Sequence, residues 1–349
     1  MRRAPAGRPS QDHGERARLL DGAARTIGSP GLVIALSHRG HRTFRFGGAE
    51  PRDAPRDRLH HELGSASKPF TGLLLASLVA AGRLRYEDSA AELLAPGHPV
   101  RPAVRAITLR HLITHTSGLP GLPADFYPQA LPRWSTAPYG HYPADRVVRA
   151  FLRARPRHRP GTRWHYSNFA VSVLGHTLAA ATGTPWEVLL QREVLGPLGL
   201  DGTRVRPGPP GSDAVGHRRD GRTLPALDTG GFAAAGAVRA TPPDLLTFLE
   251  AHLPPALAPT RPLAAALADV RRPLLRRGLR HAHTHTLTWF RHPSPRGPVC
   301  FHAGATLGQQ TFLGFRPDTG TALAAVVDRR VSRADPFIAT IHELLTEKL

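Results

Sequence analysis

The chain has 349 residues, 41% of them hydrophobic, and a formal net charge of +20. That apolar content supports a sizeable core, in one large domain or two interleaved ones, and the composition excludes a disordered chain. A single cysteine, Cys300, excludes an intrachain disulfide and reads as a buried structural thiol.

The basic residues are almost all arginine and are spread along the chain. The densest stretch, Arg153 to Arg159, lacks interleaved aromatics. Nucleic-acid binding needs basic residues gathered on one face, so no nucleic-acid partner is expected, although the charge can steer anionic substrates. Residues 1–30 are polar and charged without an apolar h-region, and no run is long enough to span a bilayer. The expectation is a cytoplasmic protein with no membrane partner. Nothing in the sequence indicates an oligomeric state.

In chain order, residues 11–27 form an amphipathic helix pattern, with Leu19, Leu20, Ala23, Ala24 and Ile27 on one side. Residues 31–37 and 43–46 read as strands joined by a turn at Arg39-Gly40, followed by a polar stretch, 50–58. Residues 68–81 form a strongly apolar helix ended by Gly82. Further helices are predicted at 109–114, 144–154, 168–182, 185–195 and 242–252. The loop 118–142 carries Phe126, Tyr127, Trp134, Tyr139 and Tyr142. A loop so long and aromatic is either a pocket wall or a packed surface excursion.

Strands return at 283–290, 299–302, 310–315 and 322–328, with turns at 294–298, 305–308 and 317–320, and a last helix spans 334–347. Strands at both ends and helices between imply that the two termini build one sheet. The division is then a single unit over 1–349: a sheet-and-helix part, 11–58 plus 281–349, and an inserted helical part, 59–280.

The chemistry starts at Ser65-Ala66-Ser67-Lys68. A spacing of three puts Ser65 and Lys68 on one helix face, with Cβ atoms about 5–6 Å apart. Gly64 permits a tight approach, and Pro69 fits a first helical turn. A helix start favours the negative charge of an oxyanion. A serine needs a base, and a buried lysine with a lowered pKa can be one. The same pattern also describes a helix start followed by an incidental lysine. The lysine count separates the two: only Lys68 and Lys348 are lysines. Arginine cannot deprotonate, so a position that keeps lysine in such a chain points to a need for a titratable amine.

Tyr166-Ser167-Asn168 precedes an apolar helix. A phenol beside a lysine can relay protons to a leaving group, and the Asn168 amide can hold substrate or orient the lysine. A capping role for Ser167 or Asn168 is compatible with this. His302-Ala303-Gly304 stands at the end of a predicted strand, followed by Ala305. A glycine there lets substrate approach the backbone, and an edge N–H can complete an oxyanion hole; a plain turn after a strand has the same sequence. Residues His281, His283 and His285 alternate along one strand face, a spacing that can bind zinc, but no carboxylate or cysteine stands nearby. Neither a metal nor a cofactor is expected.

Ser-x-x-Lys, Tyr-x-Asn and His-x-Gly in that order resemble the serine β-lactamase-related family: class C β-lactamases, DD-peptidases, D-aminopeptidases and related esterases, including penicillin-binding proteins. The segments from Glu62 to Gly72, Ile107 to Pro120, Pro160 to Asn168 and Leu195 to Leu200 also resemble that family, and the similarity runs from about Gly31 to the C-terminus. The resemblance implies an α+β fold, an α/β/α sandwich. Its antiparallel sheet, flanked by helices, comes from both termini, and a mostly helical region is inserted between. It implies an acyl-enzyme on Ser65, proton transfer shared by Lys68 and Tyr166, and substrate contact by Asn168. It places His302 and Gly304 on the strand lining the site, with the N–H groups of Ser65 and Ala305 as the oxyanion hole.

Two departures bear on substrate. The β-lactamases of the family usually carry Lys-Thr-Gly on that strand; here His302 and Ala303 replace the lysine and the hydroxyl residue. A neutral imidazole and a methyl group make a poor carboxylate clamp. The expected function is hydrolysis of a small-molecule ester, amide or peptide by a serine hydrolase. Acyl transfer or peptide cyclisation through the same acyl-enzyme is the alternative. A non-catalytic binding or sensor protein on this fold is the second alternative.

Overall fold

The computed structural model describes residues 9–48, 55–254, 260–277 and 283–349. His281, and residues 50–54 of the polar stretch, lie outside them. In chain order the strands are β1 (Val33–His38), β2 (His41–Phe46), β3 (His61–Glu62), β4 (Thr203–Arg204) and β5 (Arg239–Ala240). They continue as β6 (Leu275–Arg277), β7 (His283–His285), β8 (Phe290–His292), β9 (Val299–Ala305), β10 (Gln310–Arg316) and β11 (Thr321–Val327). Eight form one sheet in the order β2-β1-β11-β10-β9-β8-β7-β6, and β3-β5-β4 form a small second sheet. Every neighbouring pair in the large sheet is antiparallel. The fold is α+β, with the main sheet drawn from both ends of the chain.

Strand β11, Thr-Ala-Leu-Ala-Ala-Val-Val, shows why the sheet is a middle layer. Successive side chains point to opposite faces, and here both faces are apolar. Leu323, Ala325 and Val327 join a cluster with Leu20 and Ile27 of the Pro9–Ile27 helix and Phe337 and Ile341 of the Phe337–Glu343 helix. Ala322, Ala324 and Val326 face the larger core, with Phe70, Leu74, Leu245 and Phe248. There the Phe70 and Phe248 rings stack with centroids 3.8 Å apart.

The predicted middle helices are present as Leu109–Ile113, Ala144–Leu152, Asn168–Thr182, Trp186–Leu190 and Pro242–Glu250. Several stretches differ from the sequence reading. Residues 283–290 are two strands, because the Thr286 hydroxyl accepts from the Trp289 N–H at 2.9 Å and turns the chain. Strand β9 does not stop at His302 but pairs with β10 as far as Ala305 opposite Gln310. The last helix starts at Phe337, where the Asp335 carboxylate takes the Phe337 N–H at 3.0 Å, and it ends in a wider turn over Leu344–Lys348. The aromatic loop holds a short helix, Phe126–Ala130. Helices Ala90–Leu94 and Arg261–Asp269 are additional. No helix among the described residues is long and apolar enough to cross a membrane.

Candidate active site

Ser65 lies in a 3-10 turn, Gly64–Ser67, that runs directly into the Lys68–Ala80 helix with Pro69 in its first turn. Two glycines let this turn lie against β9. Gly64 has a φ of +51°, and a Cβ there would stand 2.5 Å from the Ala305 carbonyl oxygen. A Cβ on Gly304 would stand 1.9 Å from the Leu63 carbonyl oxygen and 2.6 Å from the Ala66 nitrogen. The bare backbone of Gly304 thus makes room for the turn that carries Ser65. Ser65 and Ala305 end up lining the same cavity.

Lys68 is 1% exposed. Its Nζ is 3.0 Å from Ser65 Oγ, 2.8 Å from Asn168 Oδ1 and 2.9 Å from the Ala235 carbonyl oxygen. It stands 4.9 Å from the centroid of the Tyr166 ring. No acidic group is among these partners, so burial lowers its pKa to about 7. Two neighbours of Lys68 hold the same segment: the Thr71 hydroxyl donates to the Ala234 carbonyl, and Ser67 Oγ accepts from the Val238 N–H.

Tyr166 hydrogen-bonds with Ser65, yet burial dominates and raises its pKa well above the ordinary phenol value. The phenol stays protonated at neutral pH. Ser167 caps the next helix, accepting from the Ala170 N–H at 2.9 Å and donating to the Pro120 carbonyl at 2.6 Å. That cap aims Asn168 at Lys68. Asn168 also hydrogen-bonds with the Tyr139 phenol, whose pKa is raised by burial.

His302 is 2% exposed, and its Nδ1 lies 2.8 Å from the Ala303 carbonyl oxygen. Burial first, and the nearby Lys68 charge second, lower its pKa to about 3. It is therefore a neutral imidazole at any ordinary pH. His285 packs against Trp164 and Phe290, with ring centroids 5.3 and 4.5 Å away. No group of three metal-ligating side chains occurs among the described residues. Cys300 is buried, which pushes its thiol up to about 12.

The structure thus gathers Ser65, Lys68, Tyr166 and Asn168 at one point, with Ala305 beside Ser65, Gly304 beneath the turn and His302 within electrostatic reach. Sequence reasoning missed two neighbours. Tyr139 was visible as one aromatic of a long loop, with no signal linking it to Asn168. His115 lies within the segment Ile107 to Pro120, and it braces Tyr166. Its ring is 4.5 Å from the Tyr166 ring, its Nδ1 accepts from the Ser167 N–H at 3.2 Å, and its backbone φ is +59°. A histidine in that backbone region is uncommon, and nothing in the sequence around it tied it to Tyr166.

A family model described as Beta-lactamase matches residues 17–347. A beta-lactamase from Pseudomonas fluorescens is 27% identical over 248 residues, covering 68% of this chain and 63% of that protein. The D-alanyl-D-alanine-carboxypeptidase/endopeptidase AmpH of Escherichia coli is 26% identical over 239 residues, covering 65% of this chain and 58% of that protein. The chain thus spans about three fifths of the length of these curated relatives. A class C beta lactamase from Rhodobacter sphaeroides superposes with a TM-score of 0.78 at 22% identity, covering 94% of this chain and 97% of that one.

Proposed function

Because this chain belongs to the beta-lactamase family, we propose that it is a serine hydrolase that cleaves an ester or amide through an acyl-enzyme on Ser65. One observation carries the reading: the Nζ of a wholly buried lysine, with a pKa of about 7, stands 3.0 Å from Ser65 Oγ. A lysine held near neutrality is deprotonated often enough to act as a base and basic enough to take a serine proton.

In the proposed course, neutral Lys68 takes the Ser65 proton as Oγ bonds to the substrate carbonyl carbon. The resulting oxyanion faces the Ser65 and Ala305 N–H groups, and backbone donors fixed in advance cost no reorganisation. Collapse expels the alcohol or amine, which receives a proton from the Tyr166 phenol. Lys68 then returns its proton to the phenol oxygen. Water repeats the sequence on the acyl-enzyme, releasing the acid and restoring Ser65. Asn168 Oδ1, 2.8 Å from Nζ, holds the lysine in place.

The reactions that the relatives' names give, on β-lactams and on D-alanyl-D-alanine peptides, concern substrates with a carboxylate. His302 is neutral and buried, and Ala303 has no hydroxyl, so this strand offers that carboxylate little. We therefore favour substrates without one. Incubation with a fluorophosphonate and intact mass measurement tests the acyl-enzyme. A single adduct is expected on the wild type and none on Ser65→Ala. A labelled variant contradicts Ser65 as the nucleophile, and an unlabelled wild type contradicts the acyl-enzyme and supports the non-catalytic alternative.

A further inference from the structure

Beside Ser65 lies a cavity of about 300 Å³. Its walls are Phe126, Trp134 and Tyr139 of the aromatic loop, then Leu227, Phe232 and Leu307. Among the described residues, no arginine, lysine, histidine, aspartate or glutamate lines it. The chain carries a net charge of +20, yet none of its described basic side chains lines this cavity. The polar groups that do reach it are hydroxyls and the Asn168 amide, which suit hydrogen bonding and not ion binding.

The walls are fixed from behind. Phe126, Tyr139 and Phe232 pack edge-on or tilted with centroids 5.2 to 5.5 Å apart. Leu227 is held at both backbone groups by a buried ion pair. Glu62 accepts from its N–H at 2.7 Å, Arg239 donates to its carbonyl at 3.1 Å, and Glu62 and Arg239 are 3.1 Å apart. A preformed apolar cavity with a few polar groups at one end is what a small ligand site looks like.

We propose that this cavity is the acyl subsite, and that it selects an uncharged, apolar acyl group of arylalkyl or medium-chain type. The inference rests on the acyl-enzyme reading above. The direction follows from the proton donor: Tyr166, which serves the leaving group, is not among the cavity's lining residues, whereas Ser65, Gly64 and Ala305 are. The leaving group departs towards Tyr166, and the acyl substituent falls between the aromatic loop and Leu307. The volume is about twice the roughly 150 Å³ cavity that takes a benzene ring.

Steady-state kinetics on p-nitrophenyl acetate, butyrate and hexanoate, with the monoanionic glutarate ester alongside, test this at fixed physiological salt. Each added methylene is expected to raise kcat/KM about threefold to fourfold. The glutarate ester is expected at least tenfold below the hexanoate, whose longest chain matches it in non-hydrogen atoms. Trp134→Ala and Leu307→Ala are expected to lower the hexanoate-to-acetate ratio at least threefold. A flat chain-length series with measurable acetate turnover overturns the subsite while leaving the acyl-enzyme intact. So does a preference for the anionic ester, or a ratio unchanged in both variants. No turnover of any ester, together with no fluorophosphonate adduct on Ser65, overturns both readings.

Discussion

Lys68 illustrates what a single residue type reveals. Its spacing from Ser65 is common, but its survival in a chain with two lysines marked it as a group needed for its proton. The structure adds the cause of its lowered pKa: no carboxylate compensates its burial. This has a consequence for stability. The folded pKa, about 7, lies below the ordinary lysine value near 10.4. Between those pH values the unfolded chain binds the extra proton, so stability rises with pH from about 7 to about 10 and this contribution is flat below 7. Denaturant midpoints across that range are expected to show the rise in the wild type and to lose it in Lys68→Met. Lys68→Arg should lower kcat/KM at least about a hundredfold, because guanidinium cannot give up its proton. His115 and Tyr139 were not legible at this scale, since neither carries a spacing that ties it to Tyr166 or Asn168.

At the scale of elements, the join between the Ser65 turn and β9 matters most. The motif His302-Ala303-Gly304 looked like a strand end with a glycine for the substrate. Pairing with β10 carries the strand on to Ala305, and the glycine serves the close approach of two backbones. Sequence periodicity detects side-chain faces but not a backbone packed on a backbone, so this role was invisible. Gly304→Ala places a methyl 1.9 Å from the Leu63 oxygen, which backbone must move to relieve. Loss of more than about 2 kcal/mol of stability, or at least a tenfold loss of Ser65 acylation with the fold retained, is expected. Circular dichroism melting and fluorophosphonate labelling rates measure the two. The β7–β8 turn was likewise missed, because Thr286 makes its turn by a side-chain hydrogen bond inside a stretch rich in threonine and aromatic residues with no Gly or Pro.

For the whole molecule, the alternation of apolar runs at both ends was enough to expect one sheet built by both termini, and the large sheet is built that way. The contact between the end helices was not expected, since two amphipathic stretches three hundred residues apart give no sign of meeting. Phe337 belongs to the same cluster as Leu20 and Leu323 and is fully buried. Phe337→Ala is expected to cost about 3–5 kcal/mol, read as a lowered urea midpoint. Since Ser65 hangs from the opposite face of the sheet, the pKa governing acylation should not move in that variant. The acylation rate itself addresses the central claim, that neutral Lys68 is the base for Ser65. The rate of Ser65 phosphonylation by a fluorophosphonate, followed by mass spectrometry from pH 5.5 to 9.5, should rise with a single midpoint near 7 and then stay level. A rate independent of pH across that range, or one still climbing at pH 9.5, would contradict a deprotonated Lys68 as the base.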